Sequence, residues 1–156
     1  MSILFQALPT DTVQAIRASG LDAHGQPVER HLSEGSAYPC RHCLGEAPHG
    51  QDYLILAHRP FEAQHAYTET GPIFLCAENC RRATPSPRVP PILKAPSYIV
   101  RGYDTDERIV YGTGQVTPTN LIAAYAAQLL DRPEIAFVDL RSAANNCFQC
   151  RVTRAD

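Results

Sequence analysis

The chain is 156 residues long and 44% hydrophobic, enough to bury a core and too apolar for wholesale disorder. Fourteen Lys and Arg against sixteen Asp and Glu leave a formal net charge of −2, which gives no long-range attraction to nucleic acid or to an anionic membrane. No apolar run reaches the roughly 18–20 residues that cross a bilayer, and the start, up to Pro9, lacks the cationic region of a secretory signal. The expected location is therefore the cytoplasm, where thiols stay reduced.

A single domain over residues 1–156 is expected, with residues 1–36 as an N-terminal appendage. Thr10 or Asp11 can cap a short helix that carries Val13 and Ile16 at helical spacing, and Gly20 can end it in a left-handed conformation. The stretch that follows, to Ser36, is polar and is expected as loop, with His24 and His31 exposed in it. Residues 53–58 form a short apolar run between Gly50 and Pro60, the pattern of a strand. Residues 71–76 predict a second strand, with Pro72 admissible near its start, where no ladder donor is needed. Residues 84–96 contain Pro85, Pro87, Pro90, Pro91 and Pro96, so this stretch is an extended connector: proline fixes φ and has no amide to donate.

The C-terminal third has the strongest patterning. Residues 97–103 and 107–111 flank Asp104-Thr105-Asp106 and predict a hairpin. Residues 119–130 are rich in alanine and leucine and predict the principal helix, capped by Thr119 and stopped before Pro133. Leu121, Ile122, Tyr125, Leu129 and Leu130 mark its apolar face. Residues 135–140 and 148–154 predict two more strands, with Asn145-Asn146 as a turn between them. This order of elements predicts an α+β fold: a mainly antiparallel sheet with the 119–130 helix packed on one face, and a short N-terminal helix.

Six cysteines fall in three close pairs: Cys40-Arg41-His42-Cys43, Cys76-Ala77-Glu78-Asn79-Cys80 and Cys147-Phe148-Gln149-Cys150. Two thiolates two or three residues apart can bind one tetrahedral ion, because a tight turn aims both sulfurs inward. Cys40, Cys43, Cys76 and Cys80 would together make a structural zinc site, with His42 or His49 able to replace one of them. Gly45, just past Cys43, is suited to the turn. If residues 147–150 are regular strand, Cys147 and Cys150 point to opposite faces, and at least one of them is a small buried hydrophobe.

A redox role is the competing chemistry. Arg41 and His42 favour a thiolate, but the residues after Cys43 cannot make the long helix whose positive end activates a redox cysteine. No glycine-rich phosphate loop, nucleophile elbow or paired-histidine zinc motif is present. Lys94 is the only lysine, so nearly all positive charge is arginine. Arg41, Arg101 and Arg141, near predicted strand ends, can frame an anion pocket.

Tyr38-Pro-Cys-Arg41, Gly71-Pro-Ile-Phe74, Arg101-Gly-Tyr-Asp104 and Cys147-Phe-Gln-Cys-Arg-Val152 together resemble a bacterial family of unknown function, the domain family numbered 1203. The resemblance implies a compact domain over most of residues 36–154 and implies no activity. Its shared residues centre on Cys40 and the last cysteine pair, which implies an alternative cluster of Cys40, Cys147 and Cys150. The sequence thus predicts a small cytosolic domain, non-enzymatic or regulatory, whose thiols hold a metal or lie in the core. The alternative is a small-molecule enzyme or thiol redox protein using Cys40 in an arginine-lined pocket.

Overall fold

A computed structural model describes residues 2–156. The fold is α+β, with every strand pairing antiparallel, as the pattern of elements predicts. Contacts divide the chain into two compact units. One comprises the N-terminal residues up to Gln6, Phe61–Glu69 and Pro85–Asp156; the other comprises Ala7–Pro60 and Thr70–Thr84.

The first unit holds a five-stranded sheet in the order β1-β8-β7-β5-β6. Its strands are β1 (Ile3–Gln6), β5 (Ser97–Tyr103), β6 (Gln115–Pro118), β7 (Phe137–Ser142) and β8 (Phe148–Arg154). Alternate residues of these strands point to one face. On that face Ile3, Phe5, Val100, Val138, Leu140, Cys150 and Val152 are buried in one core with Ile122, Ala126, Leu129 and Leu130 of helix α2 (Ile122–Leu130). The predicted helix therefore exists and covers the sheet, but its first three residues, Thr119–Leu121, form a 3₁₀ turn. Thr119 does not cap it: its hydroxyl donates instead to the carbonyl of Ala95. Leu121, ahead of the regular helix, is half exposed, and Tyr125 directs its hydroxyl to the carbonyl of Thr113.

The hairpin expected across residues 104–106 forms only in part. Asp104 accepts from the amides of Asp106 and Arg108 and closes a turn, yet only Ile109 bridges back to Tyr103. The hydroxyl of Thr113 accepts from the amide of Gly102, at a position a regular strand would fill with a carbonyl. The strand beside β5 is consequently β6, displaced along the chain from the expected 107–111. β7 begins two residues later than expected, and β8 keeps its predicted bounds. In the proline-rich stretch, Ser86 exchanges backbone hydrogen bonds with Phe5, so the connector is extended and tied to β1.

The second unit holds β2 (Glu29–Leu32), β3 (Asp52–His58) and β4 (Gly71–Cys76) in that order, with helix α1 (Thr10–Ser19). β3 and β4 pair with Leu54 opposite Leu75 and Leu56 opposite Ile73, all four buried. Gly20, at φ +66°, ends α1 in the left-handed region as its sequence predicts, and its amide donates to Ile16. Pro9, and neither Thr10 nor Asp11, occupies the cap position at the start of the helix, without a capping hydrogen bond. Residues 1–36 are thus not only an appendage: they supply β1 to one sheet, β2 to the other and α1. β2 is fully exposed and lacks apolar alternation, so periodicity could not reveal it.

Candidate metal centre

β4 ends at Cys76, and the chain then turns through Ala77 to Cys80, with the Ala77 amide bonded to the carbonyl of Asp52 on neighbouring β3. Cys40 bridges to Phe74 of β4, and the Arg41 amide donates to the Phe74 carbonyl. The two cysteine turns are therefore fixed to the same strand. Within the first turn, the Cys40 amide donates to Gly45 and the Leu44 amide to Cys40, which folds the loop back on itself. The residue in the left-handed region is Leu44, at φ +51°, and not Gly45. A side chain at position 45 would meet the Cys43 sulfur only at ordinary contact distance, so glycine is not what the turn requires.

This backbone brings the four predicted ligands together. The sulfurs of Cys40, Cys43, Cys76 and Cys80 all lie within 4.8 Å of one another. Cys40 and Cys80 are 3.9 Å apart, and Cys43 and Cys76 4.0 Å. Cys40 and Cys76 are buried; Cys43 and Cys80 are half-buried. Four close cysteines of this kind can hold a metal ion. None of the four is in a disulfide.

Crowded thiols share their protons unequally. Hydrogen bonds from the thiols of Cys43 and Cys76, helped by backbone amides of the same residues, hold Cys40 far below the usual thiol range against the cost of burial. Cys43, the donor to Cys40, is raised to about 11. Cys76, which donates to Cys40 and Cys43 and is buried, is raised as well. A Cys40 thiolate accepting from the protonated thiols of Cys43 and Cys76 is thus favoured in the metal-free cluster, and further negative charge there calls for a cation at its centre.

Neither histidine considered as a substitute belongs to the four-sulfur group. His49 is exposed on its loop. His42 is buried, with Nδ1 3.1 Å from the Cys80 sulfur and Nε2 2.9 Å from the Thr10 hydroxyl. Burial lowers its pKa and favours the neutral ring. A neutral imidazole protonated on Nδ1 satisfies both contacts, donating to sulfur and accepting from Thr10. Arg17, in the last turn of α1, donates Nη2 to the Cys80 sulfur at 3.3 Å and to the Cys76 carbonyl at 2.9 Å. Arg82 donates to the carbonyls of Ala7 and Leu8, which ties the second cysteine loop to the chain just before α1. Sequence reasoning missed Arg17 and Thr10, because nothing local marks a helix residue as the partner of a sulfur 63 positions away.

The remaining predicted residues are not among the four clustered cysteines. Cys150 is buried in the apolar core of the first unit, and Cys147 precedes β8 with its thiol directed to the Asn145 carbonyl. Among the described residues, the grouping of Cys40 with Cys147 and Cys150 does not appear as a set of close ligand atoms. Arg41 belongs to the second unit and donates to the Pro39 carbonyl, whereas Arg101 and Arg141 belong to the first and both reach the carboxylate of Glu69. Asp139 is fully buried and bonded through both oxygens to Arg151.

No helix among the described residues is long and apolar enough to cross a membrane. No curated protein and no solved structure matches the chain. The family model described as protein of unknown function (DUF1203) matches residues 37–154, which include all four clustered cysteines and leave α1 outside, so the chain belongs to that family.

Proposed function

We propose that Cys40, Cys43, Cys76 and Cys80 hold one zinc ion in a structural role. The supporting observation is the spacing of the sulfurs. A tetrahedral ion with Zn–S bonds of about 2.3 Å separates its ligands by about 3.8 Å. The sulfur separations of 3.9 and 4.0 Å are close to that value and about twice the ~2.05 Å of a disulfide. Four thiolates complete the shell and leave no open position for a water or substrate, the arrangement of structural and not catalytic zinc. The ion would fasten the loop after Tyr38 to the end of β4, two segments that otherwise meet through a few backbone bonds. The chain as a whole is then a small non-enzymatic or regulatory domain of a reducing compartment such as the cytoplasm, where thiols remain available to metal.

The reactive-thiol alternative draws on the low pKa of Cys40, but that residue is 1% exposed, and a nucleophilic thiolate needs access. Arg101 and Arg141 are moreover engaged by the carboxylate of Glu69. Metal content by mass spectrometry, with thiol titration on the same untagged sample, tests the proposal. About one zinc per chain, with four thiols protected until a chelator is added, is the expected result. Absence of metal with rapid modification of Cys40 in the folded chain would favour the alternative.

A further inference from the structure

The five-stranded sheet carries a charged ladder on the face opposite α2. Arg101 of β5 pairs in register with Asp139 of β7, and Asp139 with Arg151 of β8. Asp139 and Arg151 satisfy each other through two hydrogen bonds at 2.7 and 2.9 Å, and the Arg151 guanidinium lies 3.7 Å over the ring of Phe137. That pair is electrically complete. Beside it, Arg101 and Arg141 converge on a single carboxylate. Arg101 Nη1 donates to Glu69 Oε1 at 2.6 Å and to the Tyr103 hydroxyl at 3.3 Å. Arg141 Nε lies 2.6 Å from Glu69 Oε2 as an ion pair, and its Nη1 donates to the Asn146 carbonyl. Two guanidinium groups thus share one negative charge. Arg141 is 3% exposed, and its Nη2 is buried without a hydrogen-bond partner. A buried charged donor with nothing to bond is costly and calls for a group to complete it.

We propose that Arg101 and Arg141 form a binding site for a small oxyanion, a carboxylate or a phosphate, which Glu69 occupies in the free chain. The guanidinium fork matches the geometry of either anion. Two such forks around one carboxylate leave one positive charge to be neutralised. Glu69 and Arg101 keep a quarter and a sixth of their side chains exposed, so an anion from solvent can reach the pair from the Glu69 side. The site lies wholly in the first unit and does not depend on the metal reading.

The test is a titration of the full chain with inorganic phosphate and, separately, with acetate, read as melting temperature at constant ionic strength against chloride. Glu69→Gln removes the resident carboxylate but keeps its shape. The variant should respond at roughly tenfold lower anion concentration than the wild type, the scale expected for removing one like charge from a partly buried site. Adding Arg101→Gln to Glu69→Gln should abolish the response. Arg101 is the more exposed of the two arginines, so this variant keeps the test available if Arg141→Gln does not fold. A stronger effect of phosphate assigns the ligand to the phosphoryl class, and a stronger effect of acetate to the carboxylates. If neither anion stabilises Glu69→Gln more than chloride does, or if the response survives Arg101→Gln, the site does not exist.

Discussion

The guanidinium of Arg17 lies 3.3 Å from the sulfur of Cys80 and 2.9 Å from the carbonyl of Cys76. A helix outside the family match thereby contributes directly to the surroundings of two of the four clustered cysteines. A charged donor on a ligand sulfur offsets the negative charge of a tetrathiolate ion and orients the ligand, as outer-shell partners commonly do. Arg17→Gln is expected to weaken zinc binding by about tenfold, at the lower end of such effects. Competition with a chromophoric chelator measures it. An affinity equal to wild type would show that the Arg17 contact serves only to dock α1.

Proton release provides an independent check on the thiol electrostatics. Cys43, raised to about 11, and Cys76, also raised, carry protons at neutral pH in the metal-free chain. Zinc must displace both, so binding at pH 7 should release at least the protons of these two residues, and affinity should fall as the pH is lowered. Mixing apo protein with zinc in weakly buffered solution containing a pH indicator counts the protons. Release of none would mean that Cys43 and Cys76 are not ligands.

The third cysteine pair separates core from metal centre. Cys150 is fully buried among apolar side chains of the first unit and is not one of the four clustered cysteines. Cys150→Ala should cost about 1–2 kcal/mol of stability through the cavity it leaves and should not change zinc stoichiometry. Denaturant unfolding and metal analysis on the same preparation measure both. Loss of zinc from this variant would revive the grouping of Cys40 with Cys147 and Cys150.

Much of this arrangement was legible before the structure, where the signal was local. The apolar run of α2 and the bounds of β4 and β8 follow from patterning within a dozen residues, and the CxxC and CxxxC spacings single out the four cysteines that cluster, because two tight turns are local features. What stayed hidden depends on distant partners. β1 is four residues long and is a strand because β8 pairs with it; β2 has no apolar alternation at all. Strand β6 took the place expected for 107–111 because a threonine hydroxyl interrupted the hairpin. The same holds for the arginines: nothing in the sequence distinguished Arg41, bonded to a nearby carbonyl, from Arg101 and Arg141, which share Glu69.

X-ray absorption at the zinc edge, on the purified full chain, addresses the central claim most directly. The account predicts a zinc signal fitted by four sulfur neighbours at about 2.3 Å and no lighter atom in the first shell. A spectrum with no zinc above buffer, or a shell containing a nitrogen at about 2.0 Å that places His42 on the metal in place of Cys80, would contradict it.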